Sequence, residues 1–258
     1  MVTMKTISGE VDFCRESAAL VKMPLYKENE KNGYKALLSN MHVTPTDIQL
    51  NLTHKDPVWR QVVQDVRFRK ALNLALNRSE IIDAIYFGHA EPSKMMDSTF
   101  DLDEANRLLD EMGMKKGADG FRLGPDGKKF TIPIEHGAHA PDMTPLAELV
   151  VEQWKQLGLD VTMKTIDQGL WGTRNAANEL KATIMWSTTP LWYYGDVTQG
   201  IWGPLWNQWY NSGGKKGEEP PEDVKKFYEL LDKVTVSPPD EAKQAFQEIK
   251  EFLQCLYF

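Results

Sequence analysis

FTIPIEHGAHAPDMTPLAELVVEQWKQLGLDVTMKTIDQGLWGTRNAANELKATIMW, residues 130–186, decides the fold. Phe130, Ile132 and Ile134 alternate with Thr131, Pro133 and Glu135, a strand pattern. Pro133 cannot donate to a ladder, so an edge or terminal position is expected. Pro145 opens a helix running to Leu157, and Gly158 closes it. Val161, Met163 and Thr165 alternate again. Gln168–Leu180 reads as a helix and Ala182–Trp186 as a further strand. Strand–helix–strand–helix–strand implies parallel pairing with right-handed crossovers, hence an α/β fold.

Upstream, Asp56-Pro57 breaks the chain before a helical block. Asp65 suits an N-cap for Val66–Leu76, and Asn77 recaps for Ser79–Phe87, with Glu80 at the capping-box position and Gly88 as stop. Asp101 and Gly113 bracket a helix from about Leu102 to Met112. Gly117–Lys129 is turn-rich. Before that block, Ile7–Phe13 reads as a turn feeding a short strand, and Tyr34–Ser39 as another short strand. Downstream, residues 187–221 show no clear periodicity. Two helices follow, Glu222–Val234 and Asp240–Leu256.

The 258 residues are 41% hydrophobic and 26% charged, enough for a sizeable core. The net charge of −7 offers no counterion-release affinity for phosphate backbones, so nucleic acid is not an expected partner. No apolar run approaches the roughly 20 residues of a membrane span. The opening Met-Val-Thr-Met-Lys-Thr-Ile-Ser lacks the apolar region of a signal peptide. That fits either a cytoplasmic protein or a chain whose N-terminus lies further upstream. Cys14 and Cys255 make no disulfide framework, and two buried free thiols are expected.

Five of the eight tryptophans fall between Trp186 and Trp209, joined by Tyr193, Tyr194 and Tyr210. Aromatic rings with polar handles suit organic ligands, and Asp196 among them suits a ligand ammonium. Trp186, Trp192, Tyr193, Asp196 and Trp202 are the candidate ligand-binding residues. A second reading stays open for Trp202, Trp206 and Trp209: their i, i+4, i+7 spacing also fits the packing of one helix face. His136 and His139 lack the His-Glu-x-x-His pattern of a helical zinc site, so no metal is expected. Gly213-Gly214-Lys215-Lys216-Gly217 lacks phosphate-loop spacing and reads as a solvated turn. Asp65–Arg69 reads as a surface ion-pair cluster. No nucleophile elbow or cysteine–histidine signature is present, so neither an enzyme nor a cofactor is expected.

Several stretches resemble the family 5 solute-binding proteins of ABC importers, the dipeptide- and oligopeptide-binding type. Asp65-Val66-Arg67-Phe68-Arg69-Lys70-Ala71-Leu72-Asn73-Leu74-Ala75-Leu76-Asn77-Arg78 is similar to that family's Asp-x-Arg-x-Arg helix. It continues through Phe87-Gly88-His89-Ala90-Glu91-Pro92. Asp101 to Gly113, Asp119-Gly120-Phe121-Arg122, Pro125-Asp126-Gly127-Lys128 and Trp154-Lys155-Gln156-Leu157-Gly158 follow in the family's order. Gly213-Gly214-Lys215 to Pro221 matches one subgroup.

The resemblance implies a periplasmic-binding-protein-like fold (type II, cluster C-like), with residues 48–258 as the second lobe around a β-α-β-α-β core. Residues 1–47 then resemble a remnant of the first lobe, and the final return to that lobe is missing, as in a fragment. It also implies capture of a peptide or other small organic solute by lobe closure, delivery to ABC permease subunits, and a periplasmic or cell-surface location. Two other functions remain: a non-transport interaction module, or a small-molecule enzyme reusing the lobe.

Overall fold

The computed structural model describes residues 2–14, 19–38, 46–93, 97–138, 140–186 and 199–256. In chain order, α1 (Val2–Ile7) and α2 (Met23–Glu28) precede β1 (Thr46–Leu50). Four helices follow: α3 (Pro57–Gln64), α4 (Val66–Leu74), α5 (Arg78–Tyr86) and α6 (Leu102–Glu111). The decisive stretch folds as β2 (Thr131–Gly137), α7 (Met143–Lys155), β3 (Asp160–Ile166), α8 (Gln168–Ala176) and β4 (Ala182–Trp186). Then come α9 (Gln199–Trp202), α10 (Pro204–Asn211), α11 (Glu222–Val236) and α12 (Pro239–Leu256).

The strands form one four-stranded sheet in the order β1-β4-β2-β3. β2 runs parallel to β3 from Thr131↔Asp160 to Gly137↔Ile166, and parallel to β4 at Ile134↔Ala182. β1 closes the far side, antiparallel to β4 from Thr46↔Trp186 to Leu50↔Ala182. The β-α-β-α-β reading therefore holds, but β2 is interior, not at an edge. Pro133 lies within the β2–β3 ladder, opposite Thr162.

Local chemistry sets the helix starts. Asp56, Asp65, Asn77, Asp101 and Asp167 each accept first-turn N–H groups with their side chains. At α5 the capping box is shared between helices. Asn77 Oδ1 accepts from Glu80 N, but the Asn77 N–H goes to Gln153 Oε1 of α7 at 3.0 Å. Gln153 Nε2 in turn donates to Glu80 Oε2 at 2.9 Å, so a buried glutamine staples α5 to α7.

The core lies between the sheet and the helices. α7 turns Leu146, Ala147, Val150, Val151 and Trp154 inward, and Ile132, Ile134, Val161 and Ile184 are buried on the sheet. Each buried leucine, isoleucine or valine among them stabilises the fold by about 1.5–3 kcal/mol relative to exposure. Trp59 stacks on Phe130 with centroids 5.7 Å apart, and Phe68 meets the same ring edge-on at 5.6 Å.

Several expectations are overturned. Ile7–Phe13 holds no strand: α1 ends at Ile7, and a turn at Gly9 (φ 77°) follows. Residues 34–38 form no regular element. α1 is short and buries nothing, so no hydrophobic stripe marks it in sequence. Arg69 is buried, donating to the Val63 and Gln64 carbonyls at 2.7 and 2.9 Å, while Arg67 pairs with Asp65 at the surface. Neither cysteine is buried: Cys14 is half-buried and Cys255 exposed. α8 stops at Ala176, four residues early, because Asn178 takes a left-handed turn (φ 58°).

Candidate functional site

Parallel strands end on one edge, and α/β sheets place ligands beyond that edge. Here it is formed by Gly137 of β2, Ile166 of β3 and Trp186 of β4, with Thr46 of antiparallel β1 paired to Trp186. The start of α7 and the end of α5 border it. Tyr86 Oη donates to Asp142 Oδ2 at 3.0 Å. Burial, then the Asp142 charge, push the Tyr86 hydroxyl well above the usual tyrosine range, so it stays protonated.

Beside that pair is a second polar group. His136 is fully buried one residue before the end of β2. Its Nδ1 lies 3.3 Å from the Gly137 carbonyl, and its Nε2 lies 3.1 Å from Thr165 Oγ1 of β3. Thr165 Oγ1 is 3.4 Å from Thr144 Oγ1 in the first turn of α7. The pairing His136↔Thr165 puts both side chains on the α7 face of the sheet. Sequence reading singled out His136 only as a poor zinc ligand and missed the threonines. The usable signal was the terminal position of residues 136 and 165 on strands with matching alternation.

The predicted ligand residues divide as follows. Trp186 ends β4 at the edge, as expected. Trp192, Tyr193 and Asp196 lie outside the described residues. Trp202 is 3% exposed and packs edge-on against Trp206 (6.0 Å) and Phe227 (5.6 Å). It is a core side chain. Gly203 separates α9 from α10, so Trp202, Trp206 and Trp209 do not share one helix, although the first two are buried together. Among the described residues no group of three or more His, Cys, Asp or Glu side chains is placed to hold a metal ion.

A cavity of about 270 Å³ opens at the opposite edge, lined by Asp56, Trp59, Asp126, Lys128, Lys129 and Lys181. Its Lys181 and Lys129 are neutralised by Asp56 (2.7 Å) and Asp160 (3.2 Å). Nearby, buried His54 accepts the Asp56 N–H at Nδ1, 3.1 Å away.

Burial lowers the pKa of both His54, where Lys181 adds to the effect, and His136, below the ordinary 6.5. The folded state therefore binds fewer protons than the unfolded chain just below that value. The contribution of the two neutral rings is complete above pH 6.5 and is lost as pH falls from there toward each folded pKa. The urea midpoint should drop on acidification from about pH 7 to about pH 5. His54→Asn, which keeps an acceptor for Asp56 N but does not titrate, should flatten part of the drop. A flat or rising midpoint would contradict this assignment.

Comparison with known proteins agrees with this fold. A dipeptide-binding protein of Escherichia coli (strain K12) is 26% identical over 141 residues, half of this chain and 25% of the relative. The oligopeptide-binding protein OppA of Lactococcus lactis subsp. cremoris (strain SK11) is 30% identical over 162 residues, 54% of this chain and 24% of the relative. A solved oligopeptide-binding protein OppA superposes with a TM-score of 0.75 at 28% identity, covering 98% of this chain and 47% of that one. The chain thus spans about half the length of the solved relative, and its aligned part about a quarter of each curated one. Residues 2–209 match the model of the bacterial extracellular solute-binding proteins, family 5 Middle, and the chain belongs to that family.

Proposed function

We propose that this chain supplies one ligand-binding lobe of an extracytoplasmic receptor that captures peptides or related small organic solutes for an ABC permease. The observation that carries the reading is the edge where β2, β3 and β4 all end, with the aromatic segment leaving β4 at Trp186. The names of the relatives, dipeptide- and oligopeptide-binding proteins, support peptides as the solute class. Residues 48–258 act as the lobe. Residues 1–47 belong with the other lobe, in keeping with Tyr26 being the one buried apolar side chain among the described residues of 2–38. The protein binds and releases its ligand without chemistry.

In this reading Trp186, Trp192 and Tyr193 cover apolar parts of the ligand, and Asp196 meets the peptide ammonium. A charge-assisted hydrogen bond of that kind contributes about 1.5–3 kcal/mol, or roughly 10- to 150-fold in affinity. Titration of a library of short free-amine peptides should therefore show Asp196→Ala weakening binding by that factor, with N-acetylated peptides little changed. Equal affinity of wild type and variant for free-amine peptides would remove Asp196 from the site. Failure of every peptide to bind would overturn the solute class.

A further inference from the structure

We propose that Thr144, Thr165 and His136 form a proton-reversible hydroxyl relay that sets whether the ligand edge accepts or donates hydrogen bonds. The inference rests on the edge being the ligand site proposed above.

The direction of the relay follows from elementary donor chemistry. A carbonyl oxygen only accepts, so the 3.3 Å contact with Gly137 O requires a proton on His136 Nδ1. In the neutral ring Nε2 is then the acceptor, and at 3.1 Å the Thr165 hydroxyl must donate to it. With its one hydrogen committed inward, Thr165 Oγ1 can only accept at its outer side. The Thr144 hydroxyl, 3.4 Å away, is the nearest group to donate there. Both threonine oxygens then present lone pairs outward, which suits ligand N–H or O–H groups. Protonation of His136 reverses the chain. Nε2–H donates to Thr165 Oγ1, the Thr165 hydrogen is released outward, and the edge donates, which suits a carboxylate or carbonyl oxygen. Thr165 is exposed while the imidazole is fully buried, so the hydroxyl is also the ring's route to solvent protons.

The charges around the ring leave the switch to the relay. Glu135, Lys164 and Arg174 lie on the opposite face of the sheet, where Arg174 pairs with Glu135. On α7, Asp142 is engaged by Tyr86, and Glu148 and Glu152 are exposed on the outer side. Asp160 is held at the far end of β3 by Thr131 and Lys129. Burial favours the neutral ring, so the reversal falls below the ordinary histidine range.

The test uses the full chain labelled with nitrogen-15, with methylammonium as the donor probe and sulfate as the acceptor probe. Both keep their charge from about pH 8 down to about pH 4, a span that reaches below an ordinary histidine titration. The neutral ring should show the Nδ1–H tautomer in its nitrogen shifts. The methylammonium-to-sulfate affinity ratio, read at the Thr144 and Thr165 amides, should fall roughly three- to tenfold on acidification, the net worth of one hydrogen bond. Thr165→Val keeps the histidine and its charge but removes the relay, and should abolish most of that fall. A neutral ring protonated on Nε2, an unchanged fall in Thr165→Val, or probes that leave both threonines unperturbed would each overturn the proposal. A chain that binds no peptide yet shows the tautomer and the reversal supports the relay and overturns only the peptide reading.

Discussion

Replacing Arg122 with alanine is expected to destabilise the protein by about 3–5 kcal/mol, a large part of a typical domain's total. The side chain is 1% exposed and joins two helix ends to the turn that feeds β2. Nε donates to the Leu157 carbonyl beyond α7 at 2.7 Å. Nη1 reaches the Met114 carbonyl at 2.7 Å and Asp110 Oδ1 at 2.6 Å, and Nη2 reaches Asn106 Oδ1 at 2.7 Å. Carbonyls past helix C-termini lack intrahelical donors, and a guanidinium satisfies several at once. Truncation leaves them buried and unmatched. A lysine has three donors on one nitrogen and cannot span these acceptors, so Arg122→Lys should recover only part of the loss.

The Asp110 partner separates two explanations. Its side chain is 68% exposed, so the ion pair is screened by water and Asp110→Asn should cost no more than about 1 kcal/mol. Urea unfolding at constant m-value is the measurement. If Asp110→Asn cost as much as Arg122→Ala, the ion pair and not the carbonyl set would be holding the turn. If Arg122→Ala shifted the midpoint by less than the equivalent of about 1 kcal/mol, the account given for this residue would fail.

What could be read from sequence was what repeats. The alternation over 130–134 and 161–165, and the caps at Asp65, Asn77 and Asp101, are local signals, and the structure uses them as expected. Elements held by distant partners left no such mark. β1 is five residues long and owes its place to β4, 132 positions further on at Leu50↔Ala182 and 140 at Thr46↔Trp186.

 Buried Arg69 and Arg122 look like surface charges in sequence, because the carbonyls that accept from them are set by the fold. At the candidate site, Trp186 was legible from its place at the end of a strand. The partnership of His136 with Thr165 was not, because it depends on the β2–β3 register. Trp202 was ambiguous for a physical reason: a large ring serves a core or a ligand equally well until its neighbours are known.

Replacing Asn178 with alanine is the other change expected to have a large effect, about 3–4 kcal/mol in total. Two separable terms contribute. The first is a buried amide network. Asn178 Oδ1 accepts from Asn51 Nδ2 at 2.8 Å and from Thr53 Oγ1 at 3.1 Å, and its Nδ2 donates to Thr53 O at 2.8 Å. Asn51 Nδ2 also donates to Leu180 O at 2.9 Å, and Thr53 Oγ1 accepts from Leu205 N at 3.2 Å. The knot therefore ties the tail of β1, the turn before β4 and the start of α10, and so fixes the two strands that bring Thr46 and Trp186 to the ligand edge. Removing the amide leaves buried partners unmatched, at about 2–3 kcal/mol. The second term is the backbone. Asn178 has φ 58°, a left-handed conformation that asparagine tolerates, glycine adopts freely and alanine resists by roughly 1 kcal/mol or more. Asn178→Gly should then show the network loss alone, and Asn178→Ala that loss plus strain. The expected order of urea midpoints is wild type, then glycine, then alanine. A glycine variant as stable as wild type would mean the network contributes nothing net. Equal midpoints for glycine and alanine would mean the turn relaxes out of the left-handed region, leaving the amide as the only reason for asparagine at this position.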